Sequence, residues 1–166
     1  MAGDEAMRDR IVKLVAAYPG LHLRELARQA DTSLHLVQYH VQRLQDEGLL
    51  EVALDGGKVR VFLPGERRAD RGAVGCLRDR KRLRIALVLL EHQVLSHGQL
   101  AARLKLGKST LSFHLRLMEE AQLLQSGPQG YRLVNPGRTK ALLERCPPTP
   151  DASDRLADVW HAMYQR

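Results

Sequence analysis

Residues 23–50 read LRELARQADTSLHLVQYHVQRLQDEGLL, and residues 98–124 read GQLAARLKLGKSTLSFHLRLMEEAQLL. Each stretch opens on a short helical segment with a Leu-Ala pair, Leu26–Ala27 or Leu100–Ala101, and breaks at a polar turn. A longer segment follows in which apolar residues recur at three and four. Leu34, Val37, Val41 and Leu44 share one helical face in the first stretch, and Leu111, Leu115 and Met118 in the second. Ser33 predicts the N-cap of the longer helix, and Gly48 its end. In the second stretch Gly107, an acceptable cap, stands where Ser33 stood.

The likeness extends in both directions. Laying residue n over residue n+74 aligns the two stretches without a gap. Arg8, Arg10 and Ile11 fall on Arg82, Arg84 and Ile85; Leu21 falls on Leu95, His40 on His114, and Leu49–Leu50 on Leu123–Leu124. Beyond Leu124 the offset drops to 72 and brings Pro64–Gly65 onto Pro136–Gly137. A two-residue deletion in a turn is well tolerated, and the period is too long for a solenoid unit. The chain is read as a domain duplication.

Each copy reads as three helices followed by a hairpin. The stripe of Ile11, Leu14 and Val15 ends before Tyr18–Pro19–Gly20, since proline and glycine stop helices. Helices are expected over 22–30 and 34–47, then strands at Leu49–Leu54 and Val59–Leu63 around Asp55–Gly56–Gly57–Lys58. In the second copy the helices are expected over 79–92, 97–104 and 108–121. Its strands are expected near 122–126 and 130–134, around Gly127–Pro128–Gln129.

Helix, helix, tight turn, helix and two-stranded wing is the winged helix-turn-helix order. The two quoted stretches resemble the core of winged-helix regulators of the ArsR/MarR-like kind, with their aromatic-His-aliphatic third helix, acidic pair and Leu-Leu. Two copies in one short chain resemble the tandem winged-helix regulators common in archaea. The likeness covers about residues 8–134. The expected fold is mainly α with small β-hairpin wings (α+β), as two tandem winged helix-turn-helix domains plus a C-terminal helix. The domains are expected at 1–66 and 78–136, with a basic linker at 67–77 and a helical tail at 137–166. What the resemblance implies is a double-stranded DNA-binding transcriptional regulator.

Composition agrees with this class. Apolar residues make up 44% and charged residues 27% of 166, a globular mix that excludes collagen-like and wholly disordered chains. The longest apolar run, Ile85–Leu90, is far short of the ~20 residues that span a bilayer. The start, MAGDEAMRDR, carries acids and no hydrophobic core, so no signal peptide and no membrane contact are expected. A cytoplasmic, nucleoid-associated protein is expected. Residues 1–68 hold 10 Lys/Arg and 10 Asp/Glu, whereas residues 69–134 hold 11 and 5. The excess centres on RDRKRLR (Arg78–Arg84), which suits a polyanion.

The third helix supplies the candidate readers. His35, Gln38, Tyr39 and Gln42 share the side opposite the apolar stripe, where a merely soluble helix would carry Glu and Lys. Such a helix fits the major groove, and Gln can bridge an adenine edge with two hydrogen bonds. In the second copy Ser109, Ser112, Phe113 and Arg116 face outward, with Lys108 at the helix start. Arg116 stands where Gln42 stands, and its fork matches guanine, so the two copies are expected to prefer different bases. Lys58, Arg60 and Arg132 on the wings are candidate phosphate or minor-groove contacts. Arg78, Lys81 and Arg82 are candidates at the start of the second domain. With about six phosphates neutralised, affinity falls with a log–log salt slope near −5.

No metal, cofactor or enzymatic chemistry is expected. His40 and His114 sit beside the buried stripe, where a structural role is expected of them. His35 and His40 are five apart, about 140° around a helix, and do not converge on one ion. The thiolate pair that some ArsR-like metal sensors carry in this helix is absent from SLHLVQYH. Cys76 and Cys146 lack zinc-site spacing, and Cys76 reads as an interdomain thiol. Gly107–Lys108–Ser109–Thr110 resembles the end of a phosphate loop, but Ala102 stands where that loop needs glycine.

Beyond the repeat, RTKALLERC reads as a short helix stopped by Cys146–Pro147–Pro148. Leu156, Val159, Trp160 and Met163 then form one stripe of a terminal amphipathic helix, which either packs back on the second domain or, as is expected of it, pairs with its twin in a homodimer. The alternative function is a tandem winged-helix protein-interaction scaffold, such as a chromosome-organising or transcription-machinery subunit. It would use the net-neutral first domain, where Leu34, Leu36 and Tyr39 could meet a protein partner.

Overall fold

The computed structural model describes residues 2–150 of the chain. The stripe Leu156, Val159, Trp160 and Met163, and the dimer contact expected of it, lie outside the described residues. Two compact units divide between Arg71 and Gly72.

The first unit runs α1 (Ala2–Ala17), β1 (Leu21–His22), α2 (Leu23–Gln29), α3 (Leu34–Asp46), β2 (Glu51–Asp55) and β3 (Lys58–Phe62). Helix α1 stops where Pro19–Gly20 breaks it, with Gly20 at φ +79°. The Ser33 side chain caps α3 by accepting from Leu36 N–H at 3.2 Å, as its identity predicts. The strands form an antiparallel sheet in the order β1-β3-β2, with Leu21 and Val52 both opposite Val61. The two-residue β1 has no counterpart in the hairpin read from sequence.

One apolar cluster holds these elements together. Ile11 and Val15 of α1, Leu21, Leu26, the α3 stripe Val37, Val41 and Leu44, then Leu50 and Val61 are all buried. Fully burying such a side chain contributes roughly 1.5–3 kcal/mol. The stripe therefore fixes which side of α3 turns outward. Arg8 of α1 also pairs with Glu47 just past α3.

Residues 67–77, read from sequence as a basic linker, hold a helix: α4 (Arg68–Leu77). Arg71 pairs with Glu51, and its guanidinium lies 5.2 Å from the centre of the Phe62 ring.

The second unit repeats the order with α5 (Arg80–His92), β4 (Val94–Leu95), α6 (His97–Leu104), α7 (Lys108–Glu120), β5 (Leu124–Gly127) and β6 (Gly130–Leu133). Its sheet order, β4-β6-β5, is the first sheet repeated. Ile85, Leu89, Leu100, Leu111, Leu115, Met118 and Leu124 are buried at the positions of Ile11, Val15, Leu26, Val37, Val41, Leu44 and Leu50. Ser96 and Gln99 close a capping box on α6. Helix α8 (Pro136–Arg145) follows, capped by Asn135 with proline at its start. The fold is mainly α with small β wings, built twice.

Candidate nucleic-acid interface

Burial of Val37, His40, Val41 and Leu44 leaves His35, Gln38, Tyr39 and Gln42 exposed on the far side of α3. Tyr39 is 45% exposed, and its hydroxyl accepts from Arg43 Nη1 at 2.7 Å. Gln42 Nε2 donates to Asp46 Oδ1 at 2.9 Å, one turn on. The corresponding face of α7 exposes Lys108, Ser109, Ser112, Phe113 and Arg116. The Arg116 guanidinium lies 5.9 Å from the Phe113 ring centre, and its Nε stands 3.8 Å from Glu120 Oε1. Both partners of that last pair are well exposed, so it contributes little to stability. Ser112 Oγ and His97 Nε2 are 2.9 Å apart and tie α7 to α6.

The wing residues divide. Lys58 is exposed at the start of β3, and with Gln38, Leu34, Arg24 and His22 it lines a groove of about 480 Å³. This groove lies between α3, the start of α2 and the wing. His22 caps α2 by accepting from Glu25 N–H at 3.3 Å. Burial pushes its pKa below the ordinary histidine value; Glu25 opposes this, while Lys58 and Arg60 add to it. Arg132 is exposed on β6, and the Gln125 amide oxygen accepts from its Nε at 2.7 Å and its Nη2 at 2.8 Å.

Arg60 is a correction. It is 4% exposed, with Nε donating to Asp55 Oδ2 at 2.7 Å and Nη1 to the Gly20 carbonyl at 3.0 Å. Its guanidinium braces the base of the wing rather than offering charge to solvent. Arg78 and Arg82 of the Arg78–Arg84 run are likewise engaged. Arg78 Nη1 donates to the Pro147 carbonyl at 2.6 Å, and half-buried Arg82 has its Nε 3.7 Å from Asp79 Oδ1. Arg80 and Lys81 are exposed.

Arg24, Arg43 and His97 were not singled out from the sequence. Arg43 had a legible signal, four residues beyond Tyr39 on the same helix. Arg24 had none, because its place in the groove depends on the wing folding back toward α2. Among the described residues no group of three or more His, Cys, Asp or Glu converges as a metal site. No helix among them is long and apolar enough to cross a membrane. Cys76 and Cys146 are buried, and Cys76 Sγ faces the Leu117 carbonyl at 3.9 Å.

Comparison with known families places a helix-turn-helix in each unit. Residues 5–74 match a family described as an N-terminal HTH domain. Residues 79–126 match the bacterial regulatory protein family arsR. No curated protein matches the chain. Fold and matches together define a DNA-binding regulator with two tandem helix-turn-helix domains. The second unit is similar to the arsR regulators, and helix-turn-helix regulators of this kind are typically not enzymes.

Proposed function

We propose that the chain regulates transcription by binding double-stranded DNA with α3 and α7 each in a major groove. The observation that carries this is the duplicated outward face. In both helices a buried apolar stripe turns out residues able to meet base edges, with no acid before the last turn. His35, Gln38, Tyr39 and Gln42 read from α3, and Ser109, Ser112 and Arg116 from α7, with Lys108 near the backbone. Lys58, Arg132 and Lys81 lie on phosphates. Arg60, Arg78 and Arg82 support the fold beneath them. A homodimer formed through residues 156–163 would present four reading helices and prefer a two-fold symmetric site. The protein acts in the cytoplasm, at the nucleoid.

The test is fluorescence anisotropy of the intact chain on random-sequence duplex, titrated from low to physiological salt, followed by site selection. Binding with a log–log slope of roughly −4 to −6 is expected. A Gln42→Ala/Arg116→Ala variant is expected to lose base preference, and unchanged preference sinks the groove-reading model.

A second reading keeps the first domain for a protein partner. Leu36 and Tyr39 are exposed in a domain without net charge. Residues 1–68 contributing nothing to the salt slope would favour it.

A further inference from the structure

His40 and His114 take no part in the reading above, yet they hold one position in both copies. They are 1% and 7% exposed, on the inward side of α3 and α7. His40 Nε2 stands 3.6 Å from Asp4 Oδ1, in the first turn of α1. His114 Nδ1 stands 3.8 Å from Asp79 Oδ1, the cap of α5. Each imidazole also meets the exposed aromatic that precedes it on the reading helix. Tyr39 meets His40 edge-on at 5.2 Å between ring centres, and Phe113 meets His114 in the same way at 5.3 Å. Each copy therefore lines up an exposed aromatic, a buried imidazole and a carboxylate from the first helix.

Nδ1 of each imidazole makes no hydrogen bond. Around His114, burial is the largest influence and lowers its pKa, Asp79 raises it, and Arg82 and Lys81 lower it again. Around His40 stands Asp4 of α1, which also draws Arg43 of α3, and Arg43 is held in turn on Tyr39.

We propose that His40 and His114 are positioning residues that take up protons when the reading helices meet DNA, so that DNA binding tightens as pH falls. This rests on the DNA-binding reading above. Phosphates arriving at the Tyr39 and Phe113 faces add negative potential, which favours the imidazolium. The carboxylate needed to receive that charge is already within ion-pair reach in each copy. Protonation turns the contact into an ion pair that braces the reading helix against the first helix. The bound state then holds more protons than the free state, and by linkage lower pH favours it.

The experiment is anisotropy on the selected duplex at pH 6, 7 and 8 and constant ionic strength. Wild type is compared with His40→Gln/His114→Gln, and His92→Gln, at the end of α5 and outside both reading helices, serves as the control. Wild type is expected to bind tighter at pH 6 than at pH 8 by roughly three- to tenfold per histidine. The double variant is expected to match wild type at pH 8 and to show no gain at pH 6, while the His92→Gln control keeps the gain. Asp4→Asn/Asp79→Asn, in which asparagine still caps α5, is expected to reduce the gain without unfolding the chain. The imidazole C2–H signals of wild type report the same change directly, titrating at higher pH in the complex. Binding that does not vary with pH, or a gain that survives in the double variant or disappears in His92→Gln, overturns the inference and leaves the DNA-binding reading intact. Absence of binding at every pH overturns both.

Discussion

Asp31 and Lys105, 74 residues apart, close the turn before the reading helix in each copy, and both hold left-handed backbone, at φ +52° and +53°. Neither is glycine, the residue that takes this conformation without steric cost. The pair Gly48 and Gln122 repeats the relation after the reading helix, at +72° and +54°. The backbone of the helix-turn-helix is thus kept in both copies while the residues that bear its strain differ.

Lys105→Gly and Gln122→Gly are therefore expected to stabilise the second domain by about 0.5–1 kcal/mol each, read by urea denaturation. Asp31→Gly gains less, because aspartate tolerates this region better. Gly48→Ala costs the first domain about 1 kcal/mol.

Gly130 imposes a harder limit. A Cβ placed there would lie 2.3 Å from the Leu95 carbonyl oxygen, at the register point where β4 meets the wing. Gly130→Ala is expected to lower the midpoint of the second domain by about 2–3 kcal/mol, the range of a forced backbone shift. A normal midpoint would mean that β4 pairs elsewhere.

Arg60→Ala separates bracing from DNA contact. Loss of its bonds to Asp55 and the Gly20 carbonyl leaves buried polar groups unpaired, at about 1–3 kcal/mol of stability. The salt slope of DNA binding should not change. Lys58→Ala is expected to do the reverse, keeping the midpoint and reducing the slope by about 1.

Arg116→Ala should keep the fold, because its ion pair with Glu120 is exposed. It is expected to weaken the preferred duplex by about 1–3 kcal/mol and to relax preference at one base pair. Uniform weakening on every sequence would assign Arg116 to phosphate instead.

The stability of the free second domain follows from His114. Its folded pKa lies below its unfolded value, chiefly through burial, so the unfolded chain binds more protons. The contribution is complete above the unfolded pKa near 6.5 and is lost as pH falls through the folded pKa. Urea midpoints of the second domain are expected to decline from pH 8 to pH 5, and His114→Gln to flatten that decline. His22 gives the first domain the same sign.

The sequence carried the helices and the buried stripes, because Leu26, Val37, Val41 and Leu44 and their counterparts state a 3.6-residue period twice. It did not carry β1 and β4, since two residues show no alternation. Helix α4 was missed for a related reason. Ala73, Val74, Gly75, Cys76 and Leu77 are buried in succession, so no polar position alternates with apolar ones over the second half of the helix. The outward set on α3 and α7 was legible as geometry, because the stripe determines what lies opposite it. Burial of Arg60 was not, since it depends on Gly20, 40 residues away.

Gln42 on Asp46 and Arg116 on Glu120 are the same contact at the same place in both copies. Each proposed reader is already engaged by an acid of its own helix, which acts as an internal competitor for DNA. A base edge offering one hydrogen-bonding group merely exchanges one partner for another. An edge offering two gains a net bond, so the competitor penalises wrong sequences more than right ones. Removing it, by Asp46→Ala or Glu120→Ala, would produce a protein that binds more DNA and distinguishes less of it.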